Sequence, residues 1–343
     1  MLSAVTVTSP EPTPSPSSDG VTNHPAAWSV LLPVMALIIA LSSVHNAPAR
    51  PFLRGDETPY GYTLSLALFA IPVTSLMMWF APRRRMLVDQ WRAFWITSAI
   101  IAVTWSMLDI FLGNSFFRFP NHGATLGIFV SGYTFGVGWQ RTIPVEEFAF
   151  YILGSSSVLL GYIWASETWL SAYTLSYDQW AARAQRIPRL ITFRPRAMVV
   201  AVVTFVLALL WKKYGWHQDH NGFPGYFLFE LAMVVVPAAI LSDVLTPLIN
   251  PPAYVHKSIT LVLTSLLWEV TLAMPYGWWD FNHDNMMGIV VHPWYNLPIE
   301  EVILWPTAAW INVMMFQAIR VYLRSGRPLW DVLFVGHDTT SAG

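Results

Sequence analysis

Two short segments place a pair of glutamates directly after a proline, at the start of an apolar run. The first reads PVEE from Pro144 and the second reads PIEE from Pro298. Proline suits the first turn of a helix, and the helix dipole favours acidic residues there, so each pair could simply begin and cap a helix. A buried carboxylic acid that keeps its proton near neutral pH is, however, a general acid, and a neighbouring carboxylate favours the protonated form. The two copies therefore predict acid chemistry.

A loop rich in aromatic residues precedes each of these segments. The first loop reads FFRFPNHGATLGI (residues 116–128) and the second loop reads WWDFNHDNMMGI (residues 278–289). An aromatic pair, a phenylalanine, Asn-His and Gly-Ile recur in the same order. An apolar segment ending in an acid, Asp109 or Glu269, precedes each loop. Agreement over so many landmarks predicts one structural unit used twice.

The residue types in these segments suggest a reaction that passes through a cation. Aromatic faces stabilise cations, and acids can create one by protonating an alkene. An interfacial belt explains most of the 18 Trp, but it explains less well an aromatic pair at matched positions. The candidate catalytic residues are Glu146, Glu147, Glu300, Glu301, Asp109, Glu269 and Asp280. The candidate substrate-binding residues are Phe116, Phe117, Phe119, Asn121, His122, Trp278, Trp279, Phe281, Asn282 and His283. Both Asn-His pairs could orient the acids by hydrogen bonds, and a histidine could accept the final proton, although a histidine in a loop is more often a surface residue.

Composition and absent motifs narrow the function class. The chain is 55% hydrophobic and 11% charged, against about 25% charged residues in soluble domains, which predicts a membrane protein. It has no cysteine, no basic stripe typical of nucleic-acid binding, no Asp-Asp-x-x-Asp run and no Gly-x-Gly-x-x-Gly fingerprint. Asp280 and Asp284 beside His283 could hold a divalent ion. The first loop, however, has Arg118 and Gly123 near the corresponding positions, so a metal site present in both loops is not expected. We expect no cofactor, no metal and no nucleic acid.

Hydropathy predicts an all-α integral membrane protein of about eight spans, since each span needs about 20 apolar residues. The predicted spans are 27–44, 60–81, 93–113, 143–165, 197–214, 226–249, 255–276 and 297–322. They form two parallel four-helix repeats, 27–165 and 197–322, related by an axis along the membrane normal. The remaining segments are a disordered Ser/Pro/Thr-rich tail (1–26), a cytosolic insert (166–196) that could hold an interfacial helix with Trp180, and a C-terminal tail (323–343).

The distribution of basic residues predicts the orientation. Thirteen of the 19 Lys and Arg residues follow the second, fourth, sixth and eighth predicted spans, or lie at their ends. Positive charge favours the cytosolic side, so both termini are predicted in the cytosol and both loops on the opposite face. Glu230, Asp280 and Asp284 would join the six acids of the two repeats at that depth. The Ser/Pro/Thr tail suggests the endoplasmic reticulum of a eukaryote; the plasma membrane is expected otherwise.

The doubled pattern resembles the membrane lycopene cyclase domain family, which occurs as fungal bifunctional, bacterial two-subunit and archaeal fused enzymes. The resemblance covers about 105–152 and 265–310. In the first copy it rests on Asp109, Phe119, Asn121, Gly127, Pro144, Glu146 and Glu147. In the second it rests on Glu269, Trp279, Phe281, Asn282, Gly288, Pro298, Glu300 and Glu301. It implies a proton-initiated, redox-neutral cyclase that acts on the chain ends of a lipophilic isoprenoid substrate. Association with upstream isoprenoid enzymes is a possible partner interaction that the resemblance implies.

The chain also departs from the family pattern, and other functions stay open. The stretch from Gly127 to Pro144 is longer than its counterpart from Gly288 to Pro298, and no phytoene synthase domain is present. The substrate could therefore be a prenylated aromatic compound instead of a carotenoid. A proton-coupled transporter would also use parallel repeats and membrane acids. A structural subunit would use the acids only to cap helices.

Overall fold

The computed structural model describes residues 58–83, 88–215 and 221–335, together with Met35. The predicted tail 1–26, the predicted span 27–44 apart from Met35, and the end of the C-terminal tail, 336–343, lie outside the described residues. The described chain is mostly helical, as expected from its composition. Its α-helices are α1 (Gly61–Arg83), α2 (Val88–Leu108), α3 (Asn114–Phe116), α4 (Val145–Glu167), α5 (Tyr177–Gln185), α6 (Pro195–Tyr214), α7 (Gly225–Glu230), α8 (Val236–Leu245), α9 (Pro251–Trp268) and α10 (Ile299–Ser325).

Six helical segments in the described part of the chain are long and apolar enough to cross a membrane. They are Gly61–Met78, Val88–Phe116, Val145–Glu167, Pro195–Tyr214, Gly225–Leu248 and Ile299–Ser325. The predicted span 255–276 is helical as well, but α9 is not among the six. His256, Lys257 and several Ser and Thr residues lower its hydropathy. Six such helices support the prediction of a membrane protein, whereas the count of eight is not confirmed.

π-helical turns interrupt or extend several helices. Asp109–Gly113 follows α2, Leu231–Val235 joins α7 to α8, Glu269–Ala273 extends α9, and Asp331–Val335 follows α10. Such turns insert one extra residue into the helix and occur frequently at functional sites. Three of them begin at or directly after a buried acid, namely Asp109, Glu230 and Glu269.

Buried apolar side chains form two main clusters along the long central helix α10. One cluster lies among α2, α4, α5, α8 and the C-terminal part of α10. The other joins α1, α4, α9 and the N-terminal part of α10 to the two loops. By contrast, α6 leaves most of its valine and leucine side chains exposed, and only Ala208 and Lys212 are buried in it. This helix therefore presents an apolar face suited to lipid.

Three small antiparallel sheets shape the region of the loops. Their strands are β1 (Phe117–Arg118), β2 (Phe129–Thr134), β3 (Gly138–Pro144), β4 (Asp280–Phe281), β5 (Val290–Val291) and β6 (Leu297–Pro298). β1 pairs with β4, β2 with β3, and β5 with β6. The longer stretch after Gly127 is thus a β-hairpin, whereas its counterpart after Gly288 has strands of only two residues. The hairpin leads into α4 and β6 leads into α10.

The segment 166–196 contains the short helix α5, which begins with a capping box between Ser176 and Gln179. Trp180 of this helix is buried, and its indole Nε1 donates a hydrogen bond to Gln317 Oε1 at 3.1 Å. The insert therefore packs against α10 and contributes to the first core cluster.

Candidate functional site

The two loops bind each other through reciprocal hydrogen bonds. The backbone N–H of Asn121 donates to Gly277 O at 3.0 Å, and that of Asn282 donates to Phe116 O at 2.8 Å. The side-chain amides repeat this exchange: Asn121 Nδ2 donates to Tyr276 O at 2.9 Å, and Asn282 Nδ2 to Ser115 O at 3.1 Å. Both asparagines therefore hold the two loops together, and these contacts satisfy backbone carbonyls instead of orienting the acids.

The first glutamate of each pair fastens its own loop. Glu146 Oε1 accepts a hydrogen bond from the backbone N–H of Leu126 at 2.7 Å, and Glu300 Oε1 accepts one from Met287 at 2.5 Å. Leu126 and Met287 each precede the glycine of a Gly-Ile pair. Both glycines have positive φ, 74° at Gly127 and 87° at Gly288, a conformation that glycine adopts without strain.

The second glutamate of each pair faces one shared cavity. Because Pro144 and Pro298 are N-cap residues, the two glutamates are the second and third residues of their helices and project about 100° apart. The hydroxyl of Tyr62 donates to Glu147 Oε1 at 2.5 Å, and that of Tyr226 donates to Glu301 Oε1 at 2.7 Å. Each carboxyl is thus held by a tyrosine from the start of another helix.

Two further acids line the same cavity from the π turns. Asp109 interacts with Tyr151, whose hydroxyl also reaches Glu147 Oε2 at 3.4 Å. Glu269 interacts with Glu301 and with the indole of Trp305. Gly113 closes the first π turn, where an added Cβ would collide with the Asp109 carboxyl. The missing side chain at Gly113 therefore leaves room for this acid beside the cavity.

The cavity has a volume of about 90 Å³ and walls that are largely aromatic. No lysine, arginine or histidine is among its lining residues in the described part of the chain. Its four carboxyl groups consequently have tyrosine hydroxyls, an indole and one another as polar neighbours. The aromatic lining residues are Tyr62, Trp105, Phe116, Phe117, Phe119, Phe150, Tyr151, Tyr226, Phe229, Trp268, Trp279 and Trp305.

The structure brings only part of the predicted site together. The predicted residues that line the cavity are Asp109, Glu147, Glu269, Glu301, Phe116, Phe117, Phe119 and Trp279. Those that do not line it are Glu146, Glu300, Asp280, Asn121, His122, Trp278, Phe281, Asn282 and His283. Phe281 and Trp278 are buried beside the lining residues, and Trp278 Nε1 donates to Thr58 Oγ1 at 3.1 Å. Their contacts support the loops.

The two histidines and Asp280 lie on the outer side of the loops. His122 is exposed, and its ring packs on Phe129. Partial shielding from solvent lowers the pKa of His283 below its ordinary value. Asp280 stands opposite Arg118 in the β1–β4 pair. The expected contact of these groups with the four cavity acids is therefore not found in this arrangement.

Several lining residues were missed by the sequence analysis, although some left a signal. Tyr151 and Trp305 each follow the second glutamate of a pair by four residues, so they share its helix face. Tyr62 and Tyr226 each follow a glycine that begins a helix, in the segments PYGY and PGY.

Glu230 is a further buried acid, which the sequence places at the depth of the two loops without a role. It is 0% exposed, and neither carboxyl oxygen has a hydrogen-bond partner among the described residues.

Comparisons with known proteins do not assign the chain to a family. No family model, no curated protein and no solved structure matches it. The arrangement of the cavity is therefore the basis for any functional conclusion.

Proposed function

We propose that this protein is an integral-membrane isoprenoid cyclase that starts ring closure by protonating an alkene, without net redox change. The observation that carries the proposal is the cavity itself, where Asp109, Glu147, Glu269 and Glu301 meet walls of aromatic rings and no basic residue. Acids surrounded by apolar rings suit the delivery of a proton to a carbon–carbon double bond. The same rings suit the cation that results.

The proposed reaction is balanced in protons. A carboxyl O–H breaks as a new C–H bond forms at a chain-end alkene, which leaves a tertiary cation. A second double bond of the chain attacks this cation, and a new C–C bond closes the ring. A carboxylate then removes a proton from a neighbouring carbon, so that the product is an isomer of the substrate. Glu147 and Glu301 are the proposed acids, with Asp109 and Glu269 as their partners.

The shape of the cavity agrees with a substrate that enters by one end. A space of about 90 Å³ receives part of a chain and not a whole tetraterpene. The rest of a long polyene would lie among the helices or in lipid. This fits the cyclisation of a polyene or prenyl chain end. A carotenoid such as lycopene has such a chain end, and so does a prenylated aromatic compound.

We also propose that the chain consists of two parallel four-span halves with both termini in the cytosol. The reciprocal asparagine contacts, the matched glutamate contacts and the matched tyrosines support this arrangement. The endoplasmic reticulum is the proposed membrane in a eukaryote and the plasma membrane otherwise. Because the proposed substrate is lipophilic, we also propose that the protein associates with the enzymes that supply isoprenoids.

A proton-coupled transporter is the second candidate, and the π turns are the observation in its favour. Interrupted helices with acids at the interruption are typical of transporters. Here, however, Asp109 and Glu269 lie beside Glu147 and Glu301, which begin α4 and α10 at helix ends and not at mid-span. A chemical site near one face of the membrane fits the cyclase better.

The test is product analysis by mass spectrometry in membranes supplied separately with lycopene and with shorter polyprenyl substrates. The expected product has the mass of the substrate in H₂O and carries one deuterium per ring formed in D₂O. Glu147→Gln and Glu301→Gln are expected to abolish or strongly reduce it. A well-expressed wild type that converts no isoprenoid would exclude the cyclase, and proton-coupled uptake would then decide about transport.

A further inference from the structure

A second cavity lies at the opposite end of α10 from the carboxyl site. It has a volume of about 370 Å³ and is bounded by α2, α4, α5 and α10. Arg320, on its wall, follows Glu301 by 19 residues, which corresponds to about 29 Å along a helix. The two cavities are therefore close to opposite faces of the membrane.

The inner wall of this cavity is polar, unlike that of the carboxyl site. Arg320 is only 6% exposed, and its guanidinium stacks on the ring of Trp180 with 4.0 Å from Cζ to the ring centroid. Buried amides and hydroxyls surround it, and the mouth is formed by exposed residues of the insert. The polar residues of the inner wall are Gln90, Tyr162, Ser166, Asn250 and Gln317, and those of the mouth are Ser171, Ser176 and Tyr177.

The hydrogen-bonding capacity of Arg320 is largely unused. Its Nε has no hydrogen-bond partner among the described residues, and Nη1 reaches Gln317 Oε1 only at 3.5 Å. Its one ion pair among the described residues is with Asp89, at 3.6 Å from Nη2 to Oδ2, which is long for a hydrogen bond. A guanidinium has five N–H donors in a fixed fork, and buried donors without acceptors are rare. An acceptor from outside the chain would complete this group.

Both basic and acidic side chains lie in and around the cavity. Glu167 also lines it, but this carboxylate accepts a hydrogen bond from Gln90 Nε2 at 3.3 Å. Arg92 lies beside Asp89 in an adjoining depression, and Arg324 reaches over Tyr177 at the mouth. Among the described residues, Arg320 is the only basic residue that lines the cavity, whereas Arg92 and Arg324 lie outside that lining. Planar, bidentate recognition of phosphate is characteristic of arginine, and basic pockets between membrane helices bind lipid phosphate groups.

We propose that this cavity binds a phosphate group, with Arg320 as its principal ligand. The phosphate belongs either to the headgroup of an anionic lipid or to a soluble phosphate ester, and both would present the same acceptor oxygens. The exposed Ser171, Ser176 and Tyr177 leave the mouth open to either source. This inference is independent of the reaction proposed for the carboxyl site.

The experiment measures binding to the purified full-length protein in two arms. In the first arm, calorimetric titration with inorganic phosphate and glycerol 3-phosphate is carried out in detergent. In the second arm, native mass spectrometry counts bound lipid after exchange into micelles that contain phosphatidic acid or phosphatidylcholine. Saturable binding in the first arm identifies a soluble ester. Preferential retention of phosphatidic acid in the second identifies a lipid headgroup.

Variants distinguish the cavity from general surface charge. Arg320→Met is expected to weaken binding about tenfold or more, because a charge-assisted hydrogen-bonded pair is lost. Arg186→Met removes one exposed positive charge outside the cavity and should leave binding unchanged. Ser171→Trp narrows the mouth without touching Arg320 and should also weaken binding, which covers the case of an unfolded Arg320→Met protein. No saturable binding in either arm, or equal losses in the Arg320 and Arg186 variants, would overturn the proposal.

Discussion

At the scale of single residues, adjacent glutamates in one motif have different surroundings. Glu147 and Glu301 line the cavity and accept hydrogen bonds from tyrosines. Glu146 and Glu300 instead accept backbone hydrogen bonds from the loops. The difference follows from the 100° turn between neighbouring helical residues, which directs one side chain to the cavity and the other to the loop.

Substitution of the cavity glutamates should affect chemistry more than folding. Glu147→Gln and Glu301→Gln keep the size of the side chain and its ability to accept the tyrosine hydrogen bond, but they remove the acid. We expect the rate of product formation to fall about 10²-fold or more, with melting temperatures near that of the wild type. Thermal denaturation and product analysis on the same preparations check this. Full activity in both variants would show that neither glutamate is the proton donor.

Substitution of the loop-binding glutamates should have the opposite pattern. Glu300→Ala leaves the buried N–H of Met287 without its acceptor, which costs about 1–3 kcal/mol of stability. A lower melting temperature is expected, with Glu300→Gln between the alanine variant and the wild type because it keeps one acceptor oxygen. If Glu300→Ala melted like the wild type, the hydrogen bond to Met287 would not contribute to stability.

Glu230 offers a prediction about stability alone. The residue four positions after Tyr226 is this buried acid, whereas the residue four positions after Tyr62 is Leu66. Burying a polar group without a hydrogen bond costs about 1–3 kcal/mol in proteins, so Glu230→Leu should raise the melting temperature. Leu66→Ala, which only empties core volume, is the control and should lower it. A destabilised Glu230→Leu protein would mean that the carboxyl has an essential partner.

At the scale of elements, the π turns and helix starts place the acids. The turn Asp109–Gly113 brings Asp109 to the cavity, and Gly113 is needed because a Cβ there would collide with that carboxyl. The starts of α1 and α7 bring Tyr62 and Tyr226 to the glutamates of α4 and α10. A helix that begins with glycine and tyrosine can therefore contribute a hydrogen-bond donor to a distant acid.

The π turn can be tested with two glycine substitutions. Glycine to alanine inside a helix ordinarily stabilises by up to about 1 kcal/mol. Gly154→Ala in α4, where an added Cβ meets nothing within 4 Å, should follow this rule. Gly113→Ala should instead lower both the melting temperature and the rate of product formation, since Asp109 must move. Equal behaviour of the two variants would contradict the packing inferred for this turn.

At the scale of the whole molecule, exposed apolar surface indicates where lipid lies. Val199, Val202 and Val206 of α6 are all exposed. An acid at the centre of a membrane helix costs about 2.5–3.5 kcal/mol on the insertion scale. Val202→Asp should therefore reduce the amount of protein recovered in membranes, whereas Ala182→Asp, at an exposed position of α5, should not. Quantitative blotting of membrane fractions measures both, and equal recovery would place α6 away from lipid.

The sequence by itself determined the membrane class, the two acid-bearing segments and the aromatic loops that precede them. These features depend on local properties, namely apolar run length, helix-start chemistry and residue order. The doubled pattern predicted that acids from both copies lie close together, and four of the predicted acids line one cavity.

Only the tertiary structure decided which glutamate of each pair faces the cavity, and that Asn121 and Asn282 bind carbonyls of the opposite loop. It also placed Tyr62 and Tyr226 against the acids. The physical reason is that these contacts join residues far apart in the chain. Their partners are set by how helices pack, which a local pattern does not encode.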